Sequence, residues 1–270
     1  MNKKTRYIIE GILLIGAIVF AGLKFGLIPG QKHYQVAVMN PSYVFDVFSD
    51  EPLVGGSNNV FVGKVNKQIG SESSPGYHGI EGQFDVTVLF NIKGRLDGNI
   101  VVDQMGGLKN GVFQMISGGA TTPEEYILQP GTTYLFASRN RGREDRHVIS
   151  VPGRSWQLIS NDSKLSSAEL LSVIMKDPNV IKYKEAYINE KIPMGEKYTA
   201  VNSFKNLPAA EQEKIKAEVA QMKAEASQPK TPEPVVEPET IPSEEVVSAS
   251  STESGTVQES TLDTSTTTAE

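Results

Sequence analysis

Hydrophobic and polar residues alternate most clearly between Phe84 and Ile92. Every even position in this run is apolar, whereas Asp85, Thr87 and Asn91 at odd positions are polar. A period of two is typical of a β-strand with one face buried and the other face wet. The run predicts a mainly β module over residues 59–160, because shorter apolar runs separated by glycine-rich turns flank it: NVFVGKV, NIVVDQMGG, TTYLFASRN and HVISVPGRSWQLI.

Five strands are predicted in this module, and they favour a small five-stranded Greek-key barrel of the OB type. Gly63 inside the first strand is typical of a bulge at a barrel corner, and Asp97-Gly98 predicts a hairpin turn. Residues 68–82 are predicted to form a loop, because they contain Ser, Gly and Pro75 and few apolar residues, and residues 106–119 are predicted to be irregular because they are rich in glycine. A β-sandwich is the alternative, but it usually needs about seven strands. It would have to include the runs YQVAVM and YVFDVF of a predicted linker at residues 31–58.

A different pattern occupies residues 1–30. Lys3, Lys4 and Arg6 precede an apolar run at residues 7–28, whose length suits a bilayer core of about 30 Å. Positive charge before the run predicts a cytoplasmic N-terminus, a single transmembrane helix and an extracytoplasmic module. The lipid bilayer is therefore the first predicted partner. A signal peptide cleaved after Ala21 is the alternative, because the uncharged centre of the run is short.

The apolar period changes to that of helices in residues 161–227. Ser166 and Glu169 have the spacing of a capping box, and Pro208 is typical of a first helical turn. Residues 228–270 consist mainly of Pro, Glu, Thr, Ser and Val, so they cannot bury enough surface to offset the entropy of ordering. We therefore predict short α-helices after the β module, followed by a disordered acidic tail.

Negative charge is concentrated in that tail. The chain of 270 residues has a net charge of −6, whereas residues 228–270 alone, with nine carboxylates and Lys230, contribute −8, so the rest of the chain contributes +2. The rest of the chain is close to neutral. This balance argues against nucleic-acid binding, because phosphate contacts need a clustered basic surface.

No residue pattern in the sequence indicates a catalytic, metal or cofactor site. The chain has no cysteine, which excludes disulfides, thiolate metal sites and a cysteine nucleophile. His33, His78 and His147 lie in separate segments without metal-ligand spacing. Gly-x-Ser-x-Gly and the phosphate-binding Gly-x-x-x-x-Gly-Lys-Ser/Thr pattern are absent. We therefore predict no cofactor, no metal and no enzymatic activity.

The candidate contact site is a group of arginines at the tip of the last predicted hairpin. Loops at this position of OB-type barrels often bind ligands. The arginines either bind a polyanion or a partner, or they form a solvated turn that Glu144 and Asp145 neutralise. The group consists of Arg139, Arg141, Arg143 and Arg146.

The order of the runs VFVGKV, FDVTVLFNIKG and LQPGTTYLFA resembles bacterial members of the netrin/TIMP-like group of OB-fold domains. The resemblance covers residues 58–159 and implies an OB fold for them. Inhibitory members of that group bind a protease zinc ion through an N-terminal cysteine. That mechanism cannot be transferred to a chain without cysteine.

These patterns predict a non-enzymatic, membrane-anchored module that presents an OB-like domain to a protein or an envelope polymer outside the cytoplasm. Two alternatives stay open. One is a secreted, TIMP-like hydrolase inhibitor, released by cleavage near Ala21. The other is a structural envelope component in which the tail serves as a spacer. An enzyme is the class that the sequence favours least.

Overall fold

The computed structural model describes residues 34–73, 79–118, 120–141, 146–195 and 199–227. These residues contain nine β-strands: β1 (Gln35–Met39), β2 (Asn59–Ser73), β3 (Ile80–Lys93), β4 (Asn99–Met105), β5 (Gly107–Lys109), β6 (Val112–Ile116), β7 (Thr133–Asn140), β8 (Arg146–Ile149) and β9 (Trp156–Ser160). They also contain five α-helices: α1 (Asp50–Gly55), α2 (Pro123–Tyr126), α3 (Ser167–Lys176), α4 (Pro178–Ile188) and α5 (Ala209–Ala226). Two short 3₁₀ helices, Thr199–Asn202 and Phe204–Asn206, precede α5.

Six of the strands form one sheet in the order β2-β3-β4-β8-β7-β9, and β2 pairs with β7 as well. Strands β4 and β8 are parallel, whereas the other pairs in this sheet are antiparallel. The other three strands form a second sheet in the order β1-β6-β5. The predicted mainly β class is therefore confirmed.

Two segments that were predicted as a loop or as irregular contain strands. β2 and β3 form a long hairpin in which Ser73 pairs with Ile80, so the predicted loop at residues 68–82 is largely wrong. Most of the glycine-rich segment at residues 106–119 forms β5 and β6. In both segments, pairing with a neighbouring strand outweighs the weak strand preference of glycine and serine.

The predicted linker also contains regular structure. Its first run, YQVAVM, contains β1, which pairs in parallel with β6. Its second run, YVFDVF, is not a strand, and α1 begins two residues after it, with Ser49 as the N-cap. The linker therefore contributes one edge strand and one helix.

A shift of register in β3 divides its apolar residues between two cores. The pairing of β2 with β3 shifts between Val62 and Gly63, and the shift leaves Leu89 without a partner in the ladder. Such a bulge changes the face on which residues of the same parity lie. Phe84 therefore belongs to one core and Ile92 to the other. The prediction that a single face of this run is buried was wrong for that reason.

The first core, here called the strand core, lies on one face of the six-stranded sheet and continues to the smaller sheet. It includes stacked rings of Phe61 and Phe136, whose centres are 5.1 Å apart. Tyr126 of α2 closes one side and has an edge-to-face contact with Trp156. Further buried members are Val65, Phe84, Val86, Ile100, Val102, Phe113, Met115, Ile116, Leu128, Tyr134 and Ile149.

The second core, here called the helix core, lies between the opposite face of the sheet and the helices. The sheet contributes Val60, Val62, Ile92, Leu135 and Ala137. Helices α1, α3, α4 and α5 contribute Leu53, Val54, Ile174, Val180, Ile181, Tyr183, Ala186, Tyr187 and Met222. The capping box predicted from Ser166 and Glu169 is confirmed at the start of α3.

A buried ion pair joins the sheet to the helices. Nζ of Lys93, at the end of β3, donates to Oε2 of Glu190 at 2.8 Å and to the carbonyl oxygen of Val54 at 2.8 Å. Oε1 of Glu190 accepts from Oγ of Ser203 at 2.6 Å and from the backbone N of Phe204 at 2.7 Å. Burial lowers the pKa of Lys93, and Glu190 opposes this effect. These hydrogen bonds compensate two charges that water does not reach.

Among the described residues, no helix is both long and apolar enough to cross a membrane. The predicted anchor at residues 7–28 and the predicted tail at residues 228–270 lie outside the described residues.

Candidate functional site

The arginines predicted as a contact site lie at the hairpin of β7 and β8. Arg139 of β7 pairs with Val148 of β8, and the backbone N of Arg141 donates to the carbonyl oxygen of Arg146 at 3.0 Å. Arg143, together with the predicted neutralising residues at 144 and 145, lies outside the described residues. The hairpin brings Arg141 and Arg146 together at its turn end, on either side of residues 142–145.

Arg141 and Arg146 bind carboxylates of the neighbouring strands. Arg146 donates from Nε to Oδ2 of Asp103 at 2.6 Å and also pairs with Glu72. Arg141 forms two hydrogen bonds with Glu81 and lies 3.8 Å from Oδ2 of Asp103. The side chains of Glu81 and Asp103 are 1% and 0% exposed. This group of five residues, here called the arginine network, therefore ties the β7–β8 hairpin to β2, β3 and β4.

The network balances burial against charge pairing. Burial raises the pKa of Asp103, and the hydrogen bond from Arg146 opposes that effect. The same hydrogen bond raises the pKa of Arg146. Because buried charges are stable only when they are paired and hydrogen-bonded, Arg146 has a structural role that its position at a hairpin tip did not indicate.

Arg146→Met is expected to lower the free energy of unfolding by about 1.5–3 kcal/mol, because it removes a hydrogen bond to a buried charged group. The loss should depend on pH. The pKa of Asp103 in the folded state already lies above its ordinary value of 3.8, and removal of Arg146 should raise it further. A raised carboxyl pKa contributes stability below pH 3.8 that is lost as the pH rises through the folded-state pKa.

The deficit of Arg146→Met should therefore be larger in urea unfolding near neutral pH than under mildly acidic conditions. Adding Asp103→Asn to the variant should remove this pH dependence, because no buried carboxyl remains to titrate. An equal loss of unfolding free energy in Arg146→Met at both pH values would contradict the conclusion that Arg146 stabilises the ionised form of Asp103.

A cavity of about 250 Å³ adjoins the network at the edge of the helix core. It is here called the wall cavity. Met105 of β4 and Val148 of β8 line it, and each follows a network residue by two positions on the same strand. Residues two apart in a strand lie on the same face, so the cavity and the network share one face of the sheet. Other lining residues include Val47, Leu53, Ile116, Ala137, Arg139, Ser150 and Val151.

Residues 41–48, here called the roof segment, cover the wall cavity. Tyr43, Phe45 and Val47 are at least partly buried, whereas Val44 and Phe48 are 86% and 69% exposed. Alternation in this run was visible in the sequence as YVFDVF. It indicates which side chains face the sheet, although the segment has no strand partner among the described residues.

Polar contacts order the C-terminal half of the roof segment. Oδ1 of Asp46 accepts from the backbone N of Phe48 at 2.9 Å and of Ser49 at 3.1 Å. The side-chain hydrogen bond of Ser49, together with these two backbone bonds, lowers the pKa of Asp46. The guanidinium carbon of Arg139 lies 5.9 Å from the centre of the Phe45 ring, within the range of a cation–π contact. The cavity thus combines an apolar wall with the guanidinium group of Arg139, which lies against the roof segment.

The histidines do not come together in the described part of the chain. His147 is buried, and its Nδ1 lies 3.4 Å from Nδ2 of Asn59. His33 and His78 lie outside the described residues. Within those residues, no group of three or more His, Asp or Glu side chains has a geometry that could hold a metal ion.

The chain matches no protein-family model, and no curated protein or solved structure is significantly similar to it. The resemblance to the netrin/TIMP-like group therefore stays a prediction from sequence.

Proposed function

We propose that this protein is a non-enzymatic, membrane-anchored binding module whose OB-like domain contacts a protein or an envelope polymer outside the cytoplasm. The observation that carries the proposal is the wall cavity. It is an apolar site in which Arg139 of β7 lies against Phe45 of the roof segment, and the arginine network lies beside it. The anchor at residues 7–28 and the extracytoplasmic side are inferred from the charge and hydropathy of the N-terminus.

Five strand pairings support the OB-like part of the proposal. β2 pairs with β3, β3 with β4, β4 with β8, β8 with β7, and β7 with β2 again. A barrel needs each strand to have two neighbours in this way, so that no edge is left open. The ladder of β2 and β3 has four register shifts along its length, and bulges of this kind bend strands as a closed barrel requires.

The chemistry of the wall cavity favours a ligand with an apolar group next to a negative charge. Tyr43, Phe45 and Val47 offer apolar and aromatic surface, and Arg139 supplies a guanidinium group that suits carboxylates. An extended acidic peptide with an apolar side chain has both features. A protein partner is therefore favoured over an uncharged envelope polymer.

The proposal predicts that a photo-reactive amino acid at Val44, in the exposed part of the roof segment, crosslinks to a defined partner on intact cells that express the full chain. Val201 is 76% exposed, similar to Val44 at 86%, and does not line the cavity. A probe at Val201 is therefore the matched control.

Arg139→Glu should abolish the specific adduct at Val44, because it reverses the charge at the cavity. Its effect on the unfolding midpoint should be small, since Arg139 is exposed. Identical adducts from positions 44 and 201, or an adduct that persists in Arg139→Glu, would refute binding at the wall cavity.

A further inference from the structure

We propose that β1 is a dimerisation edge, which pairs antiparallel with β1 of a second copy of this chain and is centred on Ala37. The proposal concerns the smaller sheet and does not depend on ligand binding at the wall cavity, although the choice of a second copy as the occupant rests on the membrane anchor of the proposed function.

β1 is the terminal strand of its sheet. Among the described residues, it pairs only with β6, while β5 at the opposite end continues toward β3 through a bridge between Gly106 and Glu81. The pairing to β6 uses alternate residues of β1: the backbone N of Gln35 donates to Gly111, and the carbonyl oxygen of Met39 accepts from Ser117. In a parallel ladder, the intervening residues direct their backbone groups to the other side. The N–H and C=O groups of residues 36 and 38 therefore face outward.

The side chains of this edge are apolar, whereas the exposed edge strands of most proteins carry residues that prevent pairing with another chain. Val36 and Val38 are 50% and 56% exposed. They stand beside Phe113 and Met115 in the register, which are buried in the strand core. The apolar face of the sheet thus runs out to an open edge. Proline, lysine or a charged residue commonly blocks strand pairing at such an edge, and Gln35–Met39 contains none of them.

The strand is complementary to itself in the antiparallel direction. With Ala37 on a two-fold axis, Val36 lies opposite Val38 of the second copy, and Val38 lies opposite Val36. These are the two residues whose backbone groups face outward, so both pairs exchange N–H···O=C bonds. Apolar β-branched residues then meet across the axis, which stabilises a sheet. An isologous interface of this kind closes as a dimer.

A second copy is favoured over an unrelated partner by the position of β1 along the chain. The segment predicted to span the membrane ends at Ile28, seven residues before Gln35. Two anchored chains would hold their β1 edges at the same height above one bilayer. Such confinement raises the effective concentration of one edge for the other.

The absence of cysteine allows a direct test by disulfide crosslinking of the full chain in membranes. In the proposed dimer, Ala37 faces its own copy in a non-hydrogen-bonded pair with Cα atoms about 4.5 Å apart, within the range of a disulfide. Ala37→Cys is expected to form a crosslinked dimer as the main species after mild oxidation. Gln35→Cys is the matched control on the same strand. Its two copies would be about 13 Å apart, four residues along the strand, and should not crosslink.

Val36→Lys combined with Val38→Lys should abolish the Ala37→Cys crosslink, because each pair would then oppose two positive charges. The same double substitution in the cysteine-free chain should convert a dimer into a monomer in light scattering of the detergent-solubilised protein. Its unfolding midpoint should stay close to that of wild type, because both side chains are half-exposed. Equal crosslinking of Ala37→Cys and Gln35→Cys would overturn the proposal. A monomeric wild-type chain would also overturn it. The same holds if Ala37→Cys forms no dimer because another protein covers β1.

Discussion

Lys93→Met is expected to lower the free energy of unfolding by about 3–5 kcal/mol, the cost of removing one partner from a buried ion pair. The substitution leaves the carboxylate of Glu190 buried without its cation, and it removes the donor to the carbonyl oxygen of Val54. Both side chains of the pair are at most 1% exposed, so water cannot replace the lost interactions. Urea unfolding of the chain from residue 34 to residue 227 measures the loss.

Arg95→Met is the matched control for this prediction. Arg95 lies two residues beyond Lys93 and also pairs with a glutamate, Glu211, but its side chain is 80% exposed. An exposed ion pair contributes about 0–1 kcal/mol. Similar losses from Lys93→Met and Arg95→Met would show that burial does not set the strength of the Lys93 interaction.

The partner substitution Glu190→Gln should lower the free energy of unfolding as much as Lys93→Met does near neutral pH. At alkaline pH its effect should be smaller. Burial lowers the folded-state pKa of Lys93, and loss of Glu190 should lower it further. A lysine with a lowered pKa contributes stability above its unfolded-state pKa that is lost as the pH falls through the folded-state pKa. The deficit of Glu190→Gln should therefore shrink as the pH rises toward 10.5, the ordinary lysine value.

The second large effect is expected from truncation after Ser160, which removes α3, α4 and α5. The sheet then exposes Val60, Val62, Ile92, Leu135 and Ala137, which form its side of the helix core. Burial of one such side chain contributes about 1.5–3 kcal/mol, except for the smaller alanine. Their combined loss is comparable with the whole stability of a domain, about 5–15 kcal/mol. We expect residues 34–160 to lack a cooperative unfolding transition.

Urea unfolding and dispersed amide resonances distinguish the outcomes. Residues 34–227 should show both a cooperative transition and dispersed resonances, because this piece retains both cores. A folded and soluble piece 34–160 would contradict the prediction. It would show that the strand core alone is sufficient, and that the helices are an independent addition.

Local patterns predicted the elements better than their boundaries. The alternation from Phe84 to Ile92 indicated β3, and Ser166 with Glu169 indicated the start of α3, because both signals involve residues only a few positions apart. The extension of β2 to Ser73 was missed. Its glycine and serine residues have little strand preference, and they are ordered by pairing with β3.

In the candidate site, too, local sequence patterns predicted the element but not its tertiary contacts. The hairpin that carries Arg139, Arg141 and Arg146 was predicted from sequence, but their partners were not. Glu72 and Asp103 lie 74 and 43 positions from Arg146 along the chain. Only the register of β4 with β8, and the long β2–β3 hairpin, bring these groups together. The roof segment was visible as an alternating run, whereas its lack of a strand partner was not.

By itself, the sequence determined the mainly β class, the hairpin with the arginines and the capped helix that follows the strands. Periodicity, turn residues and capping spacing are sufficient for these features, since each depends on neighbours along the chain. The tertiary structure decided which core receives each side of β3, which carboxylates bind the arginines and where the wall cavity lies. Those features depend on one bulge and on strand register. A shift of a single residue turns every following side chain to the opposite face.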